Sequence, residues 1–205
     1  MMRFFDFLFP PRTDEDVLRG VSTDSFLAHL TPRLVPGAGP ETTTLLPFAA
    51  APVRAAIHEA KYHGSEEAFA LLACALAEYL RDADDGLRKP IVVPVPLGKE
   101  RQKERGFNQT EEVVRRALQN LGEKAFVLEP NLLIRTRETA SQVSLPRDKR
   151  EENVRGAFSA TRRADPAHTY VVIDDVVTTG ATLRAATSAL MQAGALHIVP
   201  MALAH

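Results

Sequence analysis

Residues Tyr170–Thr182 read Y-V-V-I-D-D-V-V-T-T-G-A-T, and this stretch decides how the chain folds. Tyr170, Val171, Val172 and Ile173 are aromatic or β-branched and apolar without interruption, the composition of a central parallel strand buried on both faces. Such a strand delivers its carboxyl end to a ligand crevice. Asp174 and Asp175 are therefore predicted to emerge there, where carboxylates accept hydrogen bonds from vicinal sugar hydroxyls and help hold the hydration shell of a divalent cation. Thr178, Thr179, Gly180, Ala181 and Thr182 follow at once. With a helix predicted from Leu183 to Ala193, the free N–H groups of its first turn and its dipole point into that turn, and Gly180 permits close approach. A phosphate monoester fits there, with the threonine hydroxyls as additional donors. The stretch predicts a site for a phosphorylated sugar.

An apolar strand ending in Asp-Asp also occurs in nucleotide triphosphatases, but they need G-x-x-x-x-G-K-[ST], which is absent from this chain. Gly98-Lys99 is followed by Glu100. A strand end with a purely structural role has no need of two adjacent acids and three threonines.

Working outward, 205 residues with 45% hydrophobic and 25% charged content fit one globular α/β domain with a small appendage. The net charge of −1 argues against a generally basic nucleic-acid binder. The charge is unevenly placed, however. Residues 1–89 carry nine Lys/Arg against thirteen Asp/Glu, and residues 99–155 carry thirteen against ten. Cys74, the one cysteine, sits in F-A-L-L-A-C-A-L-A-E-Y-L and is predicted to be buried and inert, and a disulfide within these residues is excluded. The aromatic start M-M-R-F-F-D-F-L-F-P-P-R is too short and interrupted for a signal peptide or membrane span. A cytoplasmic protein without membrane contact is expected.

Met1–Pro11 is predicted to be a short amphipathic segment, and Thr31–Pro40 a loop. A strand is expected near 42–48, helices near 53–62 and from Glu66 to Leu80 with Ser65 as cap, and a polar break at 82–89. The break is taken as the boundary between an N-terminal accessory or hood region, residues 1–88, and a core, residues 89–205. His58 and His63 are five apart, not the four of H-E-x-x-H, so no metal site is expected there. Lys61, Tyr62, His63 and Gly64 are expected to end their helix and face the site.

The core opens with I-V-V-P-V-P at 91–96, whose prolines place Pro94 and Pro96 at a strand end or a specially shaped turn. L-G-K-E-R-Q-K-E-R-G-F-N-Q follows, read as a cationic loop carrying Lys99, Arg101, Lys103 and Arg105 before a helix capped by Asn108 and stopped by Gly122. Residues 135–158 carry Arg135, Arg137, Arg147, Lys149, Arg150 and Arg155 with little periodicity, which reads as a functional lid anchored by Gln142, Leu145, Asn153, Val154 and Phe158.

The segment at 170–182 resembles the phosphoribosyl pyrophosphate (PRPP) loop of type I phosphoribosyltransferases. P-V-P-L with Arg101, Arg105 and G-F-N-Q, then Arg137, Thr139, Gln142, Leu145, Arg150 and N-V-R-G-A-F, together with K-Y-H-G at 61–64, is similar to the ComF family within that superfamily. The resemblance implies an α/β type I phosphoribosyltransferase fold, a Rossmann-like parallel sheet flanked by helices with a small N-terminal hood. It implies that Asp174 and Asp175 bind the PRPP ribose, and that Thr178, Thr179, Gly180, Ala181 and Thr182 bind its 5-phosphate. Pro96, Leu97, Arg101 and Arg105 would form the pyrophosphate loop, and Arg137, Gln142, Arg147 and Arg150 the flexible loop. Mg²⁺ would lie near Asp174 and Asp175, held mostly through ligand and water. The implied activity is transfer of phosphoribose to an acceptor with release of pyrophosphate. The alternative is a non-catalytic PRPP-binding accessory in natural competence, working with DNA-uptake proteins and making weak or indirect nucleic-acid contact. Residues 1–50 lack the four-cysteine zinc element with which many ComF members begin. No base-binding signature names an acceptor.

Overall fold

The computed structural model describes residues 12–35, 41–83, 90–122, 126–137 and 156–205. The described strands are β1 (Arg33–Val35), β2 (Thr42–Leu46), β3 (Ile91–Pro94), β4 (Val127–Leu128), β5 (Leu133–Arg135), β6 (Phe158–Ala160), β7 (Thr169–Val176) and β8 (His197–Ala204). The helices are α1 (Thr13–Leu18), α2 (Thr23–Leu27), α3 (Ala51–His63), α4 (Glu66–Ala83), α5 (Lys99–Arg105), α6 (Gln109–Leu121) and α7 (Ala181–Gln192). Six strands form one sheet in the order β1-β2-β8-β7-β3-β4, parallel except at the β1–β2 edge, and β5 and β6 form a separate antiparallel ribbon. This is the predicted α/β architecture, a mostly parallel sheet flanked by helices.

Alternation along β7 explains why its sequence is apolar throughout. Val171 and Ile173 enter a cluster with residues of α3, α4 and α6, whereas Tyr170 and Val172 enter the opposite cluster with Leu183, Ala186 and Leu190 of α7 and with Phe158. A strand covered on both faces has no solvent side on which to place a polar residue. Tyr170 resolves its own polarity by accepting a hydrogen bond from Asp165 N at 2.7 Å and donating to Asp165 O at 3.2 Å.

The boundary expected at residue 88 falls outside the described residues, and the sheet runs across it. β2 pairs with β8, and Leu45, Val53, Leu72 and Leu76 share a core with Val171 and Met201. Arg12 ties the start of α1 to α3, donating to both carboxylate oxygens of Glu59, at 3.0 and 2.7 Å. Met1–Pro11 lies outside the described residues.

Three local expectations are corrected. Arg33–Val35, read as loop, is an edge strand, because Leu34 and its neighbours pair in register with Thr42–Thr44 across a connection too short to show periodicity. Lys99–Arg105, read as loop, is a helix that buries none of its residues. Every residue in it is a straight-chain helix former, and Gly106 closes it in the left-handed region at φ 78°, so propensity and capping make a helix that hydrophobic periodicity cannot reveal. Cys74 is half-buried rather than buried, since α4 turns one side of that position away from the core.

Candidate functional site

The carboxyl ends of β3, β7 and β8 lie side by side, and the acid pair stands at the middle one. Pro94 closes the paired part of β3 opposite Ile173, after which Val95 N donates to Ile173 O at 2.8 Å. The backbone then turns away into Pro96 and Leu97, both half-buried at the strand exit. Asn108 fastens this exit to α6 by donating from Nδ2 to Val95 O at 3.0 Å while its Oδ1 caps Thr110 N at 3.1 Å.

Asp175 is buried and engaged through both carboxylate oxygens. Its Oδ2 accepts from Gln109 Nε2 at 2.7 Å and lies 3.1 Å from Lys61 Nζ, and its Oδ1 accepts from Val176 N at 2.7 Å. Gln109 in turn accepts from Arg105 Nη1 at 2.9 Å, and the Arg105 guanidinium stands 5.3 Å from the Tyr62 ring centroid. A closed circuit thus joins Asp175, Lys61, Tyr62, Arg105 and Gln109. Phe107 adds a second junction. It packs edge-on to Phe69 with centroids 5.8 Å apart, and a side chain placed on Gly64, at φ 60°, would meet its ring at 3.4 Å. The K-Y-H-G and G-F-N-Q motifs are separated in sequence and meet here.

The two acids differ electrostatically. Burial, and then repulsion from Asp175, pushes the Asp174 carboxyl up to about 7, against the pull of the Asp175 N–H, Lys61 and Arg135. Burial also opposes charge on Asp175, but the Lys61 ammonium, the hydrogen bonds from Lys61 and Gln109 and the Val176 N–H outweigh it and hold the group below the ordinary carboxylate range. Burial works against the Lys61 charge too, and Asp175 more than restores it. One acid is therefore a fixed anion and the other changes charge near neutrality.

Beyond the acids, Asp174, Val176, Val177, Thr178, Gly180, Ala181, Thr182 and Leu183 line a narrow cleft. Gly180 takes φ 71° and caps α7, which starts at Ala181 rather than Leu183, so the turn feeds directly into the unsatisfied amides of the first helical turn. The buried hydroxyl of Thr179 has no hydrogen-bond partner among the described residues. Arg184 Nη2 holds the turn from behind by donating to Thr179 O at 3.2 Å. A helix N-terminus opening on this cleft, with one orphaned hydroxyl in the same turn, makes it chemically suited to a small oxyanion.

Arg101 is half-buried on α5, and Arg137 is exposed just beyond β5. Gln142, Arg147 and Arg150 lie outside the described residues. Sequence reasoning missed two contributors. Gln109 reads only as the last residue of the G-F-N-Q motif, and its place after the Asn108 cap points it at β7. Arg135 was read as part of a lid, whereas it is the last residue of β5, stands 5.3 Å from the Phe158 ring and acts electrostatically on Asp174. No cluster of three or more His, Cys, Asp or Glu capable of holding a metal occurs among the described residues. With Asp175 committed to Lys61 and Gln109, the side chains fit a cation carried mainly by ligand oxygens and water, with Asp174 as the available carboxylate.

No protein-family model matches the chain. It is similar to proteins named DNA utilization protein YhgH. Identity is 32% over 147 residues to that of Salmonella typhimurium, covering 70% of this chain and 63% of the relative. It is 34% over 149 residues to that of Escherichia coli K12, covering 71% and 64%. The chain is also 30% identical over 110 residues to Competence protein F of Haemophilus influenzae, covering 50% and 44%. It therefore spans somewhat less than two thirds of the YhgH relatives' length. These likenesses support a ComF-family relationship.

Proposed function

We propose that this protein binds PRPP with Mg²⁺ and transfers the phosphoribosyl group to an acceptor, releasing pyrophosphate. The observation that carries the reading is the pairing of Asp174 and Asp175 with the turn at the N-terminus of α7, in which the buried Thr179 hydroxyl lacks a partner among the described residues. Asp174, and the remaining acceptor capacity of Asp175, hold the ribose hydroxyls. The turn Thr178–Thr182 holds the 5-phosphate through its hydroxyls and backbone amides. At the other end negative charge builds on the departing diphosphate, and Arg101 and Arg105 of α5 stand at the exit of β3 to stabilise it. Arg137, Arg147 and Arg150, with Gln142, belong to the proposed covering loop. Mg²⁺ would neutralise diphosphate oxygens, with Asp174 binding its hydration shell.

The names of the relatives extend the proposal to a role in DNA utilization or competence, with DNA-uptake proteins as partners and nucleic-acid contact that is weak or indirect. A cytoplasmic location goes with that role. Among the described residues no helix is long and apolar enough to cross a membrane. The engagement of Asp175 by Lys61 favours a second reading, a PRPP-binding accessory without turnover, because one of the two ribose-binding acids is already occupied.

Calorimetry and thermal melting with PRPP and Mg²⁺ test binding. At a ligand concentration about 100 times Kd, linkage gives roughly 2.7 kcal/mol, or several degrees in Tm. The double variant Asp174→Asn, Asp175→Asn is expected to lose most of that shift. Absence of any shift or heat with millimolar PRPP and Mg²⁺ refutes the proposal, and a pyrophosphate-release screen across acceptors separates enzyme from accessory.

A further inference from the structure

A second cleft opens at the other end of α7, about 18 Å from the phosphate turn at 1.5 Å per residue. It measures roughly 290 Å³ and lies between the last turn of α7, strand β6 and the turn Arg162–Arg163. Buried Phe158 and Ala189, with half-buried Ala160 and Ala193, make its floor apolar. Ala189 and Ala193 are four apart on one face of the helix, so the room exists because two methyl groups stand where longer side chains would fill it. The arginine turn is pinned on both sides. Before it, Thr161 donates from N to Leu132 O and from Oγ1 to Asn131 O, both at 2.9 Å, and after it Ala164 N donates to Ala193 O at 2.9 Å.

The charge around the cleft does not balance. Glu129 fixes Arg162 through both carboxylate oxygens, whereas the exposed Arg163 guanidinium has no hydrogen-bond or ion-pair partner among the described residues. No lining residue is acidic, and nearby Asp165 is engaged by His168 and by Ala167 N. The negative end of the α7 dipole is muted, because the carbonyls of Ala189, Leu190, Met191 and Ala193 all accept backbone N–H groups. We propose that this cleft docks an acidic segment of a partner protein, with a carboxylate on Arg163 and an apolar neighbour entering the floor. Open to solvent and below the range of about 300–1,000 Å³ typical of small-molecule pockets, the cleft buries too little of a small ligand to hold it. A peptide gains further contact from Met191 and Leu196, which are 56% and 73% exposed at the same end of α7. A nucleic-acid strand would need open aromatic faces, but the Phe158 ring is buried against Arg135, and Met191 and Leu196 are aliphatic. Docking is independent of the phosphoribosyl reading, since no residue proposed to hold PRPP lines this cleft.

A random-peptide phage library panned on the immobilised chain supplies the probes, and the selected peptides are measured by fluorescence anisotropy. They are expected to be rich in Asp and Glu and to bind less tightly as salt rises. Arg163→Glu is expected to lower their affinity at least about tenfold, as a charge reversal at an interfacial arginine, and Arg163→Lys to restore part of it by keeping the charge. Ala193→Leu fills the floor and is expected to weaken binding with the Arg163 charge intact. Melting curves verify that each variant folds, and the Arg163 pair decides the matter alone if Ala193→Leu does not. Peptides without an acidic bias, or acidic peptides that bind wild type and Arg163→Glu equally, overturn the proposal. So does a labelled oligothymidylate that displaces the peptides and itself depends on Arg163, which makes the cleft a nucleic-acid site. The thermal shift with PRPP and Mg²⁺ is expected to be the same in Arg163→Glu as in wild type. Its absence from both refutes the phosphoribosyl reading and leaves the docking cleft standing.

Discussion

Replacing Asp174 by Asn is expected to make the ligand-free protein more stable, with a gain that depends on pH. The native carboxyl titrates at about 7 against an ordinary value of 3.8. The native state therefore binds the proton more tightly than the unfolded chain, and wild-type stability declines as pH rises from the ordinary carboxylate range to about 7. Three units at 1.36 kcal/mol each set a ceiling of about 4 kcal/mol. Solvent reaches this half-buried side chain, which brings the expected gain down to about 2 kcal/mol at pH 8, or roughly 4–8 °C in Tm for a chain of this length. Melting curves for wild type and Asp174→Asn from pH 4 to 8.5 are the assay. The difference is expected to be small at pH 4, to grow up to pH 7 and to level off above it. Asp175→Asn is the counterpart with the opposite sign. Its carboxylate is held charged by Lys61 and Gln109, so its stabilisation is present above the ordinary carboxylate range and is lost as pH falls through the depressed value. That variant melts lower at pH 8. A pH-independent Tm difference for Asp174→Asn, or a destabilised Asp174→Asn beside an unaffected Asp175→Asn, refutes the division of charge between the two acids.

The proposed site for Mg²⁺ and PRPP calls for an ionised Asp174, so binding at pH 6 is expected to release a proton, seen as a dependence of the calorimetric heat on buffer ionisation enthalpy that fades by pH 8.5. Gln109→Leu removes the 2.7 Å bond to buried Asp175 and is expected to cost about 1–3 kcal/mol in urea denaturation. Arg12→Ala leaves Glu59, whose side chain is 2% exposed, without its two-point partner and is expected to cost about 2 kcal/mol by the same measurement. Fluorescence anisotropy with labelled single-stranded DNA at about 150 mM salt is expected to show only weak binding. Tight binding that survives the double Asp variant favours a direct nucleic-acid module instead.

The strand at 170–176 was legible because burial on both faces leaves a signature, four apolar residues in a row, that neighbours cannot erase. The acid pair and the turn behind it follow from the same stretch. Lys61 was legible through K-Y-H-G, though its partner was not, since nothing in a sequence states which carboxylate a lysine reaches. The contacts of Gln109 and Arg135 went unassigned for that reason as well. Their contribution comes from the strand and helix ends on which they sit, and those ends are fixed by tertiary pairing. The helix Lys99–Arg105 escaped because it buries none of its residues and so carries no hydrophobic period.

The sheet order gives the protein a timetable. β8, the last described strand, lies between β2 and β7, so the edge of β2 stays without that neighbour until residues 197–204 have left the ribosome. Asp175 lies 66 positions after the glutamine that holds it, and the lysine it pairs with is earlier still. Contacts of such separation close late in folding because the loop entropy must be met first. The nascent N-terminal half thus presents Lys61 and Tyr62 before any acid pair exists. Variants that slow docking of β8 are expected to lengthen that interval and to raise aggregation during synthesis before they lower the melting temperature of the finished protein.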